Sequence, residues 1–220
     1  MTLDQFSLFS DLQREDIENI KRYIIIKNYS KGEKIKNELS KYLLIVNRGE
    51  IKEFQNLNNK KKIIHSILRK GETFGELFIF DDSDYEIEYI TMEDTELFLI
   101  ETKNLFKLIR KYPKFTKNII KNMINKLYLC YFQVELLSIY RAKEKVPIAL
   151  TLLSERIKIG SKIKIENHIP FKEIGYMIRN SREVISRVMR YYYQTGGIIK
   201  EKNRLIINND KIKNYLLKVS

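Results

Sequence analysis

Four side chains near the C-terminal end carry the chain's most specific chemistry. Arg182, Glu183, Ser186 and Arg187 lie in FKEIGYMIRNSREVISRVMR (171–190), on spacings that place all four on one helix face. At the start of a helix, arginine can donate in pairs to a guanine edge, and glutamate can accept from cytosine N4 in the major groove of double-stranded DNA. Arg190, one turn on, adds a cation to the same set. Ser181 stands just before Arg182, where its hydroxyl can cap free backbone N–H groups.

The apolar positions position that face. Ile174, Met177 and Ile178 line one side of a first helix, and Val184, Ile185, Val188 and Met189 one side of a second. Gly175 is small enough for the two helices to approach closely. Thr195-Gly196-Gly197 ends the pattern, and IIKE (198–201) and RLII (204–207) follow as two strands around Lys202-Asn203. The stretch is therefore expected to be a winged helix-turn-helix, with residues 182–193 as its recognition helix. Two alternatives stand beside it. One is a plain helical hairpin with a solvated charged face. The other is a ligand-sensing or scaffold protein whose C-terminal domain binds a protein, which would not need three base-reading side chains.

Composition narrows the classes. The 220 residues favour two domains, and the 44% hydrophobic content suffices for packed cores. The net charge of +13 favours an anionic partner, nucleic acid first, although the abundance of Ile, Lys and Asn raises lysine throughout. The single cysteine, Cys130, excludes a disulfide framework or a four-thiolate metal site within one chain. MTLDQFSLFSDL has no signal-peptide pattern, and no apolar run approaches 18 residues, so a cytoplasmic protein with no membrane partner is expected. His65 and His168 are far apart and read as ordinary surface or half-buried residues. No nucleophile–base pair or metal cluster stands out, so no catalytic residue, metal or cofactor is expected, and no enzyme activity.

The first half reads as short strands with glycine turns. YLLIVNRGEIKEF (42–54) turns or bulges at Arg48-Gly49-Glu50. KIIHSIL (62–68) returns after the LNNKK turn (57–61), and EIEYITM (86–92) and ELFLIE (96–101) follow. Such spacing suggests a barrel or sandwich. SLFSDLQREDIENIKRYI (7–24) reads as a small helical cap. From Pro113, suited to a first helical turn, a helix of about 42 Å extends to residue 140 at 1.5 Å per residue. Ile120, Ile124, Leu127, Tyr131, Val134 and Ser138 repeat in four-three steps along it, a seam for a second copy of the chain. Leu129, Phe132, Leu136 and Leu137 add apolar surface elsewhere, so one face is expected on the chain's own β-domain and another on a homodimer partner. The alternative is a helix buried wholly within a monomer.

In that order, the parts resemble the Crp/Fnr superfamily of bacterial transcription regulators over nearly the whole chain. YSKGEKI (29–35), YLLIVNRGEIKEF, GETFGELFIFDD (71–82) and NSREVISR (180–187) look like family landmarks. The resemblance implies an α+β protein in three parts. These are an N-terminal β-roll (1–112), a cyclic-nucleotide-binding-like jelly roll that senses an effector; a dimerisation helix (113–140); and a winged helix-turn-helix DNA-binding domain (141–220). RNA polymerase is a further partner implied by the family. Arg182, Glu183 and Arg187 match the base-contacting positions of the cyclic-AMP-responsive branch. Glu183, Ser186 and Arg187 match those of the oxygen-responsive branch. A palindromic site with a G·C pair inside each half is expected. Arg179 stands where the family usually has a turn glycine. Positive φ costs a non-glycine residue roughly 1 kcal/mol, so the turn is expected to shift and leave that conformation to Asn180.

The resemblance also locates an effector pocket, with departures. Gly75, Glu76 and Leu77 resemble the Gly-Glu-Leu turn of the cyclic-nucleotide cassette, and Glu76 matches the carboxylate that holds the ribose. The Arg-Ser pair that grips a cyclic phosphate is replaced, within one residue of alignment, by Tyr85 and Glu86, and a carboxylate there repels a phosphate. Cys130 and Tyr131 replace the Thr-Ser pair that reaches the base, and Tyr131 could fill the pocket. Cyclic AMP is therefore not expected as the ligand. An unidentified small effector, a thiol-linked ligand, or constitutive activity without a ligand all remain. A helical cysteine such as Cys130 is more often inert packing than a sensor. A ligand would act through a hinge near Arg141–Val146.

Overall fold

The computed structural model describes residues 3–36, 38–57, 61–81, 86–139, 141–153, 156–159, 162–165, 170–202, 204–208 and 212. Residues 58–60 of the LNNKK segment expected to turn, and Tyr85, Tyr140, His168 and Asn203, lie outside them. After a 3-10 turn at Ser7–Phe9, the elements are α1 (Arg14–Lys21), β1 (Ile24–Tyr29), β2 (Lys34–Ile35), β3 (Tyr42–Arg48), β4 (Ile51–Leu57), β5 (Lys61–Leu68), β6 (Thr73–Phe74), α2 (Glu76–Phe80), β7 (Ile87–Thr91), β8 (Thr95–Glu101), α3 (Thr102–Lys111) and α4 (Pro113–Ile139). There follow α5 (Ala142–Leu153), β9 (Arg156–Ile159), β10 (Lys162–Ile165), α6 (Phe171–Ile178), α7 (Arg182–Thr195), β11 (Ile198–Glu201) and β12 (Arg204–Asn208). The α+β class and the jelly-roll order stand as expected. The chain falls into two compact units, residues 1–55 with 68–130, and 56–67 with 131–220.

In the first unit, antiparallel strands form two sheets, ordered β1-β8-β3-β6 and β2-β7-β4-β5. The apolar runs of β3 and β8 are continuous because both faces of that sheet are covered. Leu43, Ile45, Phe98 and Ile100 pack with Phe6, Phe9, Ile20, Leu105 and Phe115 from the N-terminal cap, α3 and α4. The alternate residues Leu44, Val46, Leu97 and Leu99 face the interior between the sheets, with Ile51, Phe74 and Tyr89. The ladder of β3 on β8 shifts between Val46 and Arg48, just before Gly49. Asn118, a buried polar residue of α4, donates to the carbonyls of Leu8 and Ser10 at 3.1 and 2.8 Å. That amide fixes the N-terminal cap onto α4.

In the second unit, α5, α6 and α7 pack together over a four-stranded sheet ordered β11-β12-β10-β9. The sequence reading did not anticipate α5, β9 or β10. It also placed a hinge over 141–146, but α5 begins at Ala142 and buries Val146. Glu144 accepts the Arg141 N–H at 2.8 Å, and Lys145 Nζ reaches back to the Leu137 carbonyl at 2.9 Å, so the break after α4 is short and bridged. Pro147 lies inside α5 and has no N–H for the carbonyl of Lys143, four residues earlier.

Candidate DNA-reading helix and effector pocket

The turn between α6 and α7 is built on the Gly175 carbonyl, which accepts the N–H groups of Arg179 and, at 3.1 Å, Asn180. A Cβ on residue 175 would lie 2.6 Å from the Asn180 carbonyl oxygen, so only glycine lets the chain cross there. The expected shift of the turn does not occur. Arg179 itself takes the left-handed conformation, at φ 54° and ψ 42°, because both caps onto Gly175 fix the path. Ile174, Met177 and Ile178 of α6 are buried, as are Ile185, Met189 and Tyr192 of α7, while Val184 and Val188 are half-buried.

Ser181 is the N-cap of α7, and its Oγ accepts the Val184 N–H at 3.4 Å. Its hydroxyl, followed by the Glu183 backbone N–H and the Arg182 charge, holds the exposed Glu183 carboxyl below its ordinary range. Arg182, Glu183, Arg187 and Arg190 are exposed, and Ser186 is half-buried. No described salt bridge engages the guanidinium of Arg182, Arg187 or Arg190. An ionised acceptor beside uncommitted bidentate donors is what base edges require. Behind the face, Tyr192 Oη donates to the Lys143 carbonyl that Pro147 leaves open, at 2.8 Å, and ties α7 to α5.

The Gly-Glu-Leu turn forms in the first unit. Gly75 is left-handed at φ 94°, and a Cβ there would meet the Tyr42 carbonyl oxygen at 2.9 Å. Glu76 opens α2 and is buried. It accepts from Thr73 Oγ1, and its two oxygens accept from Lys126 Nζ at 2.8 and 2.9 Å. The same ammonium donates to the Thr73 carbonyl at 2.6 Å, so all three of its hydrogens are used. The sequence reading missed Lys126 and Thr73. The only clue available was that a buried carboxylate demands a counter-charge. Nearby, Tyr89 Oη donates to Glu53 at 2.9 Å, and burial pushes the phenol far up.

The remaining pocket positions are not gathered in this way. Leu77, Glu86 and Cys130 are exposed, and Tyr85 falls outside the described residues. Tyr131 is 65% exposed, so its ring does not fill a pocket as anticipated, and Cys130 is not packed in a core. On α4, Ile120, Ile124, Leu127, Tyr131 and Val134 are 50–65% exposed, and Ser138 is exposed, whereas Phe132 and Leu136 are buried. The four-three repeat thus presents an apolar stripe, and of the other apolar residues expected to enter the chain's own core Phe132 and Leu136 do, whereas Leu137 is half-buried and Leu129 is exposed.

Two antiparallel sheets, a long helix and a winged helix-turn-helix define a jelly-roll domain followed by a helix-turn-helix module. Residues 26–112 match the cyclic nucleotide-binding domain family. The Cyclic AMP receptor protein of Thermus thermophilus is 27% identical over 193 residues, 87% of each chain. The c-di-GMP responsive global regulator CLP of Xanthomonas campestris has this fold, with a TM-score of 0.72 at 16% identity, over 89% of this chain and 99% of that one. FixK2 of Bradyrhizobium japonicum gives 0.69 at 16% identity, over 84% and 93%. The chain therefore carries a cyclic nucleotide-binding domain and shares the fold of these regulators. No described helix is long and apolar enough to cross a membrane.

Proposed function

We propose that the chain acts in the cytoplasm as a homodimer that binds a palindromic DNA site through Arg182, Glu183, Ser186 and Arg187 of α7, with Ser181 and Arg190 flanking them. One observation carries this reading: exposed arginines that no described salt bridge engages, beside an exposed glutamate at the capped start of the same helix. In a dimer joined along the α4 stripe, the two recognition helices enter successive major grooves about 34 Å apart. The division of labour is residues 1–112 for sensing, 113–140 for dimerisation and 141–220 for DNA, with RNA polymerase as a downstream partner. Any effector is other than cyclic AMP. The Lys126 ammonium already occupies the carboxylate that would take a ribose hydroxyl, and Tyr85 and Glu86 match, within one residue of alignment, the positions of the pair that would grip a phosphate.

The test is selection of bound sequences from random duplex DNA by the ligand-free protein, with Arg187→Ala alongside. A palindrome with a G·C pair in each half, lost in a variant that remains dimeric, is the expected result. Selection of the same site by Arg187→Ala would refute the assignment of the reading face.

A further inference from the structure

Arg179 is at once strained and idle. Its backbone is left-handed, a conformation that costs an L-residue roughly 1–2 kcal/mol and that glycine or asparagine takes more readily. Its side chain is exposed, and no described hydrogen bond, ion pair or ring contact uses its guanidinium. The conformation is over-determined by the Gly175 carbonyl, which takes the N–H groups of both Arg179 and Asn180. Residues held in sparsely populated backbone regions by their surroundings concentrate at functional sites. Arg179 precedes the Ser181 cap by two residues, a Cα separation of at most about 7 Å. The turn that carries this exposed side chain adjoins the N-terminal end of α7, the end that would enter the groove.

We propose that Arg179 is a phosphate-contacting residue of the DNA interface, a fixed cation that grips the sugar–phosphate backbone next to the base-reading face. The inference rests on the DNA-binding reading above and extends it to a residue outside the recognition helix. A phosphate contact carries no sequence information, so Arg179 sets affinity and salt dependence and leaves the choice of site to Arg182, Glu183 and Arg187. The competing role is local: a cation at the C-terminal end of α6 interacts favourably with the helix dipole. That role predicts lost stability, not altered DNA binding.

The experiment measures binding of the full-length protein to its selected duplex by fluorescence anisotropy at several salt concentrations, for wild type, Arg179→Asn and Arg179→Lys, with thermal unfolding of each. One phosphate contact changes the slope of log K against log salt by about 0.9. With two copies of Arg179 per dimer, Arg179→Asn is expected to flatten the slope by about 1.8 and to bind roughly 60-fold more weakly at 0.1 M salt. It should select the same site and unfold at the same or a higher temperature. Arg179→Lys keeps the wild-type slope. An unchanged slope in Arg179→Asn overturns the proposal, as does a change in the selected sequence, which would make Arg179 a base reader. If wild type selects no duplex at all, the DNA-binding reading fails and the contact with it, which is distinct from a wild type that selects while the variant matches it.

Discussion

The hydrogen bond between Tyr192 and Lys143 exists because Pro147 withholds another, and this makes an unusual double-mutant cycle. In an uninterrupted helix the Lys143 carbonyl would accept from the N–H of residue 147. Proline has none, and Tyr192 Oη donates instead at 2.8 Å. Tyr192 is 5% exposed, so Tyr192→Phe leaves a part-buried carbonyl without its donor, at a cost of about 1–1.5 kcal/mol. In a Pro147→Ala background the helix supplies its own N–H to Lys143, and the same Tyr192→Phe change should cost close to zero. The expected coupling is therefore about 1 kcal/mol, well outside the scatter of independent sites. The chain has no tryptophan, so urea unfolding is best followed by far-UV circular dichroism, with the slope m checked for constancy. Equal costs of Tyr192→Phe in the two backgrounds would refute the idea that the missing proline N–H created the acceptor.

Two further outcomes follow from the site. Ile124→Glu puts a charge in the middle of the apolar stripe, twice per dimer, and should convert the protein to monomers in sedimentation equilibrium while leaving the far-UV spectrum unchanged. A wild type already monomeric at micromolar concentration would remove the seam. In the second, the Glu183 carboxyl should titrate below its ordinary value in a carbon-detected NMR experiment, because the Ser181 hydroxyl stabilises the ionised form. Ser181→Ala should move its midpoint up. The depressed value means that this bond's contribution is present above the unfolded-state pKa and is lost as pH falls through the folded one. An unmoved midpoint in Ser181→Ala would assign the depression to another cause.

What the sequence disclosed was local. The Ser181 cap, the face of α7, the Gly175 approach and the strands around Gly49 each depend on residues within a few positions of one another, where periodicity and turn chemistry act. The Lys126–Glu76 pair joins residues 50 apart, and one lysine among 41 basic residues carries no mark of its partner. Pro147 concealed α5, since an interior proline ordinarily ends a helix; its lost bond is made good by Tyr192, 45 positions away. β9 and β10 are four-residue strands, too short to stand out alone: β9 pairs with β10, and only β10 is held in turn by the distant β12. At Arg179, intrinsic backbone preference pointed to a shifted turn, and the two caps onto Gly175 overrode it.

The ammonium of Lys126 sits between Ile124 and Leu127 in sequence, so the clasp on Glu76 and the apolar stripe share one helical turn. A ligand that takes the Glu76 carboxylate must first evict that ammonium from both Glu76 and the Thr73 carbonyl. If that eviction loosened α4 where two copies of the chain would pair, pocket occupancy and self-association would be coupled, and thermodynamic reciprocity would apply: a ligand that loosens pairing must itself bind the paired form more weakly, by the same factor.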